Sequence, residues 1–291
     1  MKKIKIIIPI YNDWQSIFKL LENIDSKISD LNAEFSVIIV NDASTEIRPE
    51  NQLNLKNIKT IKVINMKENK GHARCIASGL KHILEKEEFD YVIPMDGDGE
   101  DRPEEIKEFV DNLNYNPDKP IVGERTKRFE GIFFKFCYFF HKIITFTFTG
   151  KSIKFGNYTC LPKSTVDKMV KEKATWSSFS GSLTKVARDT AAFSSVKGIR
   201  YFGPSKMSFK NLIVHSLSII SVFKINVLIR SILFLLVYIF LIHQNITVIM
   251  FIPVILVIAL LVSVFVISGR ENLEELNNSL SNILNIDDLK L

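Results

Sequence analysis

Apolar runs of strand length alternate with segments whose apolar positions recur every three or four residues through the first 125 positions of the chain. KIKIIIPI (3–10) precedes a helical pattern from Trp14 to Ser29; then come FSVIIVND (35–42), a connection, IKTIKVINM (58–66), a helical pattern from His72 to Lys86, and DYVIPMD (90–96). Apolar strands separated by amphipathic helices predict a mostly parallel sheet covered on both faces, an α/β fold. Ligands of such sheets gather at the carboxyl ends of the strands. Three of those ends are polar and acidic here: Tyr11-Asn12-Asp13, Asn41-Asp42 and Asp96 to Asp101. If the strands are neighbours, the three ends converge on one pocket.

Further along, polarity gives way to two long apolar runs, residues 225–243 and 246–268, the second without any charge. Each is close to the roughly 20 residues that cross a bilayer as a helix. The few residues between them, His243-Gln244-Asn245, allow only a tight hairpin. Lys210, Lys224, Arg230 and Arg270 flank the outer ends while the hairpin tip has no Lys or Arg, which places the outer ends, and residues 1–220 with them, in the cytoplasm. Arg230 lies within the first run near that side and is expected to snorkel. The aromatic run IFFKFCYFFHKIITFTFTG (132–150), broken by Lys135, His141 and Lys142, predicts a helix lying against the membrane surface, and FKNLIVHSLSIISVF (209–223) predicts another. Leu273, Leu276, Leu280 and Ile283 at 3-4-3 spacing predict a short packing helix that makes self-association, a homo-oligomer, plausible.

Composition agrees with this division. The 291 residues are 46% hydrophobic, with mean hydropathy +0.12, high for a chain without membrane segments. The formal net charge of +6 suits anionic lipid or phosphate, and no nucleic-acid-binding motif accompanies it. Cys75, Cys137 and Cys160, odd in number and without a CxxC pair, fit reduced thiols. The lysines of MKKIKIIIPIY imitate a signal peptide, but the apolar run is short and broken by Pro9, which reads as a strand.

Against the positive balance, MDGDGEDRPEE (95–105) holds six acidic residues in eleven. Asp96-Gly97-Asp98 sets two carboxylates on one side of an extended turn, with glycines that let a large anion approach. Such a pair holds one hard divalent cation, Mg²⁺ or Mn²⁺, when a diphosphate supplies the remaining oxygens. Asp101, Glu104 and Glu105 are read instead as N-terminal chemistry for the helix opened by Pro103. His72 is read as packing or capping.

VIPMDGDGEDRPEE, with IIIPIYND, VIIVNDAST and ENKGHARCIASGL before it and GERTKR, KSIKFGNYTCLPKS and RYFGPSKMSF after it, resembles family 2 inverting glycosyltransferases of the GT-A fold. The resemblance is closest to dolichyl-phosphate mannose synthase and bacterial polyprenyl-phosphate glycosyltransferases and covers roughly residues 4 to 268. It implies a GT-A domain over 1–208, an interfacial helix over 209–223, a transmembrane hairpin over 224–269 and a helical tail over 270–291, in the bacterial inner membrane with both termini cytoplasmic. It implies that Pro9, Tyr11, Asp13, Asp42, Gly71 and Arg74 bind the nucleotide donor, and that Asp96 and Asp98, with Glu100 beside them, hold the metal. It further implies that Arg125, Arg128, Arg200, Ser205 and Lys206 contact the donor diphosphate and the acceptor phosphate.

The acceptor is addressed by what FGNYTCLPK (155–163) lacks. Relatives acting on hydroxyls show an acidic pair in this region, and a hydroxyl needs a general base. A phosphate monoester is already mostly ionised at neutral pH, its second pKa being about 6. The expected reaction is therefore sugar transfer to a polyprenyl phosphate, although many such relatives carry Asp where this chain has Asn157. The alternatives are transfer to a hydroxyl with Glu124 or Asp189 as base, and a catalytically silent membrane scaffold.

Overall fold

The computed structural model describes residues 1–50, 53–127, 132–204, 208–244 and 246–289. Its contacts group into two compact units, Met1–Phe129 with Lys154–Lys206 and Asn272–Leu291, and Glu130–Ile153 with Met207–Glu271. The sequence reading draws the catalytic part as one stretch, 1–208, with 270–291 apart. The grouping differs because the aromatic helix joins the other apolar helices, while the segment after the hairpin packs back on the first unit.

The first unit is built on strands β1 (Lys2–Ile10), β2 (Ala33–Asn41), β3 (Ile58–Met66), β4 (Tyr91–Pro94), β5 (Ile121–Lys127), β6 (Thr159–Pro162), β7 (Ala191–Val196) and β8 (Ile283–Leu289), in the order β7-β5-β6-β4-β1-β2-β3-β8. The stretch β4-β1-β2-β3 is parallel throughout, as its unbroken apolar runs require. Helices α1 (Trp14–Lys27) and α2 (His72–Lys86) cover opposite faces. Ile4, Ile6, Ile8, Val37 and Ile39 pack with Ile17, Leu20 and Ile24 of α1; Ile7, Ile38, Val40 and Ile64 pack with Ile76, Leu80 and Ile83 of α2. Alternate residues of one strand thus feed two cores. Shorter helices α3 (Ile106–Leu113), α5 (Lys163–Val170) and α6 (Phe179–Val186) complete the layers.

The segment after the hairpin departs from the expected helical tail. Helix α10 (Leu273–Asn277) is a single turn and a half, capped at its start by the Asn272 side chain accepting from Glu275 N–H. Asn277-Asn278 are poor helix formers. The chain then extends as β8, antiparallel to β3, and satisfies the backbone groups of what would be an open sheet edge. Leu276, expected to serve self-association, is buried against Ala77 and Trp176 of the same chain.

The second unit contains α4 (Ile132–Thr149), α7 (Phe209–Ser221), α8 (Lys224–Ile242) and α9 (Phe251–Ser268). Two stretches, Lys224–Ile242 with hydropathy 2.5 and Val248–Asn277 with 3.2, are long and apolar enough to cross a membrane, and most of their surface is uncovered. Arg230 makes a more specific contact than snorkelling: its Nη1 donates to Thr147 O at 3.1 Å, while Asn226 Nδ2 donates to Thr149 O at 3.2 Å. Both groups lie one turn apart on α8 and satisfy carbonyls that the end of α4 leaves unpaired. Gly150, at φ 73, closes α4 where a Cβ would lie 2.6 Å from Arg230 Nη2.

A Cβ on Gly79 would overlap Ile7 Cδ1 and lie 2.9 Å from Val40 Cγ2, both in the core between α2 and the sheet. Gly79→Ala is therefore expected to cost about 1 to 3 kcal/mol by overpacking. A thermal melt should record the lower midpoint, and an unchanged midpoint would show that α2 can retreat without loss.

Candidate functional site

The parallel order puts the ends of β1, β2 and β4 side by side, so the three acidic ends do converge. After β1 the chain turns through Asn12, at φ 51, whose side-chain Oδ1 accepts from Thr45 N at 2.8 Å and Glu46 N at 3.1 Å. Tyr11 stays half exposed beside it, and Pro9 is buried within β1. Asp42, at the end of β2, is buried; its two carboxylate oxygens accept from Lys70 N and Gly71 N, each at 2.8 Å. Of the expected donor-binding residues, Asp42 thus secures the turn into α2. Gly71 occupies φ 92 in that turn, which a side chain resists. Arg74 lies over the Trp176 ring, 5.5 Å from its centroid.

The loop after β4 is held from beneath by Asp101. Its Oδ2 accepts from Asp96 N at 2.9 Å and its Oδ1 from Arg125 Nη2 at 2.7 Å. Asp101 is 2% exposed. The sequence reading made it a helix cap; the carboxylate instead turns inward, because a buried charge needs a counter-ion. Glu105 likewise turns inward, accepting from Ser195 Oγ at 2.6 Å and Val196 N at 2.8 Å. Arg125, expected at a diphosphate, is spent largely on this support.

Above it, Asp98 Oδ1 accepts from Glu100 N at 2.9 Å and Asp98 Oδ2 from Arg200 Nη2 at 2.5 Å. The same guanidinium stands 3.8 Å from Asp13 Oδ2 and 4.0 Å from Glu100 Oε1. Lys197 pairs with Glu100 at 3.0 Å. Segment 197–201 is docked here by Gly198 N to Glu100 O at 2.8 Å and Tyr201 N to Asp98 O at 2.9 Å. The Tyr201 ring covers Gly99, where a Cβ would come within 2.7 Å, and Asn23 Nδ2 donates to Tyr201 Oη at 2.8 Å. The expected union of the acidic loop with Arg200 is therefore present. Arg128, Ser205 and Lys206 lie outside the described residues.

On the remaining side, His72 opens α2 with Nε2 at 3.3 Å from Asp96 Oδ1, and Asn157 Nδ2 reaches His72 Nε2 at 2.7 Å and Asp96 Oδ1 at 3.5 Å. The sequence reading gave His72 a bland role, and no spacing rule could have paired it with residues 24 and 85 positions away. Its imidazole is half exposed, and its pKa is lowered by desolvation against the pull of Asp101, Asp98 and Asp42. The carboxyls of Asp96 and Asp101 are pushed up, by burial first and then by each other's neighbourhood of like charge: Asp98 acts on Asp96, and Asp96 on Asp101. Asp98 is raised by burial as well, with Arg200 and the Glu100 amide opposing.

These shifts express an imbalance. Asp13, Asp96, Asp98, Glu100 and Asp101 face Arg125, Lys197 and Arg200, five carboxylates against three fixed cations. The excess of two negative charges matches one divalent cation, and all the donors are hard oxygens suited to Mg²⁺ or Mn²⁺. Among the described residues no group of three or more His, Cys, Asp or Glu side chains is gathered to hold a metal ion. Glu100, expected as a third ligand, is turned to Lys197. The chemistry of the cluster thus suits a divalent cation that takes most of its oxygens from a ligand rather than from a closed protein cage.

Removing one partner of a buried ion pair strands the other. Asp101→Ala is expected to lower stability by about 3 to 5 kcal/mol, and the double variant Asp101→Leu/Arg125→Met to regain much of that. Chemical denaturation of the purified protein measures both; equal losses in the single and double variants would contradict the pairing as the cause.

Several known proteins are similar. The mannosyltransferase PcManGT from Pyrobaculum calidifontis, solved with GDP-Man and Mn²⁺, matches with a TM-score of 0.50 at 15% identity over 97% of this chain and 76% of that one. The glucosyl-3-phosphoglycerate synthase of Mycobacterium tuberculosis, solved with Mn²⁺, UDP-Glc and phosphoglyceric acid, matches with a TM-score of 0.53 at 12% identity over 79% of each chain. These likenesses establish the fold, the GT-A arrangement. In sequence, the undecaprenyl-phosphate 4-deoxy-4-formamido-L-arabinose transferase of Klebsiella pneumoniae (strain 342) is 26% identical over 223 residues, 73% of this chain. The chain spans 65% of the length of that relative. Residues 5–165, more than half of the chain, match the description Glycosyl transferase family 2, and the chain belongs to that family.

Proposed function

We propose that the protein transfers a sugar, with inversion, from a nucleotide-diphosphate donor to a polyprenyl phosphate at a membrane surface. The observation that carries this reading is the doubly under-compensated acidic cluster at the strand ends, flanked by Arg200 and Lys197. Asp96 and Asp98 would hold Mg²⁺ or Mn²⁺, whose charge, when bound, stabilises the departing diphosphate. Arg200, beside Asp98, would turn to the same phosphates, which suit a guanidinium fork. His72 and Asn157 fix the orientation of the Asp96 carboxylate. An oxygen of the acceptor phosphate attacks the anomeric carbon opposite the leaving group; the carbon–oxygen bond to the diphosphate breaks, and the nucleoside diphosphate leaves with the electron pair.

The acceptor class rests on two supports. The relative in Klebsiella pneumoniae is named for an undecaprenyl phosphate substrate. Of the two residues that a hydroxyl acceptor would recruit as base, Asp189 is removed from the site: it pairs with Lys119 at 2.5 Å before the amino end of β7, the end away from Lys197. The two apolar helices of Lys224–Ile242 and Phe251–Ser268 would hold the protein in the bilayer that carries the lipid, basic ends cytoplasmic.

The test uses the full chain in detergent with undecaprenyl phosphate, Mn²⁺ or Mg²⁺ and a panel of radiolabelled nucleotide sugars. Label is expected in the organic phase, dependent on the cation and released by mild acid. Asp98→Ala is expected to lower turnover by at least a thousandfold while circular dichroism stays unchanged. Acid-stable label would shift the acceptor to a hydroxyl, and near-normal turnover in Asp98→Ala would sink the metal assignment.

A further inference from the structure

The loop that follows β2, residues 42–48, is tied at both of its ends to a single row of polar side chains that crosses three strands. Ser44 N donates to Asn41 Oδ1 at 3.0 Å; Asn41 Nδ2 donates to Asn65 Oδ1 on β3 at 2.9 Å. Asn65 Nδ2 donates in turn to Asn285 Oδ1 at 2.6 Å and Asp287 Oδ2 at 3.0 Å, both on β8. Arg48, at the far end of the loop, returns to the same Asp287 Oδ2 at 3.2 Å. The row follows the register, in which Asn41 pairs with Asn65 and Asn65 with Asn285, and Asp287 is two residues on, on the same face. Each amide passes its N–H along, and the row ends on a carboxylate, a pure acceptor that can serve Asn65 and Arg48 together.

What this row holds is not a relaxed turn. Ala43 sits at φ 54, a left-handed conformation that costs a non-glycine residue about 1 to 2 kcal/mol and persists where the surroundings over-determine it. The middle of the loop is pinned by Asn12 to Thr45 and Glu46, and Trp14 Nε1 donates to Glu46 O at 3.3 Å. Arg48 rests 6.0 Å from the centroid of the Trp14 ring. Tyr11 and Asp13 border the loop, at the carboxyl ends of β1 and β2 where a nucleoside would enter.

We infer that Asn285 and Asp287, on the strand that follows the apolar hairpin, are positioning residues for the donor nucleoside: they fix loop 42–48 in its receiving shape. The inference rests on the nucleotide-sugar reading of the site. The part of the chain after the hairpin is then a component of donor selection, although none of it was expected there from the sequence.

Two measurements on the full-length protein in detergent test it. Hydrogen exchange reads the loop without any ligand: Asp287→Ala should speed exchange at Ser44, Thr45 and Glu46 at least tenfold, with Asp287→Asn, which keeps an acceptor, intermediate. Equilibrium dialysis with radiolabelled UDP and GDP in Mn²⁺ reads the consequence. Dissociation constants of the nucleotide that the wild type binds should rise about tenfold in Asp287→Ala and in Arg48→Ala, and no further in the double variant, with donor KM moving more than kcat. Unchanged loop exchange overturns the positioning. Faster exchange with unchanged nucleotide affinity overturns its link to the donor, and faster exchange in a protein whose wild type binds neither nucleotide points instead to failure of the nucleotide-sugar reading.

Discussion

The pairing of Asp101 with Arg125 beneath the acidic loop is the constraint on which the rest of the site depends. A carboxylate with 2% of its surface exposed is pushed toward its neutral form by burial, and the one guanidinium at 2.7 Å opposes that push. The same carboxylate takes the Asp96 amide, so the backbone that presents Asp96 and Asp98 is set by a charge below it. Because Arg125 belongs to β5 and Asp101 follows β4, the pair also fastens β5, across the antiparallel strand β6, to the parallel block β4-β1-β2-β3. Segment 197–201 then closes over the loop from the other side through Lys197, Arg200 and Tyr201. The result is a layered arrangement of charge in which the buried layer is matched and the outer layer lacks positive charge.

Much of the parallel core was legible because its signal is local. KIKIIIPI, FSVIIVND and IKTIKVINM have the unbroken apolar character that burial on both faces demands, and His72 to Lys86 was assigned to the residue. The gathering of Asp13 and Asp98 was legible too, since strand ends of a parallel sheet share one rim, whereas Arg200 was expected beside them from the family resemblance. Other features were hidden because their meaning lies in partners distant along the chain. Asp101 reads as a good cap until Arg125 is beneath it. His72 reads as packing until Asn157 arrives from another segment. Leu273 to Ile283 fits a helical period, but the open edge of β3 outweighs that weak local preference after a single turn and a half.

Arg230 shows the same rule within the apolar unit. A charge inside a long apolar helix invites a choice between solvent and function, yet here it meets the carbonyls at the end of α4, with Asn226 one turn earlier doing likewise. Backbone groups at a helix end are as demanding as any ligand when water is scarce. Two side chains at i, i+4 spacing couple α8 to the end of α4, which Gly150 closes.

The antiparallel pairing of β8 with β3 has a consequence for handling the molecule. In sequence the hairpin is not an appendage at the end of the catalytic unit but an interruption within it, since one strand of the sheet is synthesised after both apolar helices. A shortened chain that stops ahead of the first apolar helix would leave β3 with a bare edge, the kind of surface that recruits strands from other molecules. A soluble version of the catalytic unit would have to keep Asn272–Leu291 along with the earlier segments, so that the last strand stays in its slot.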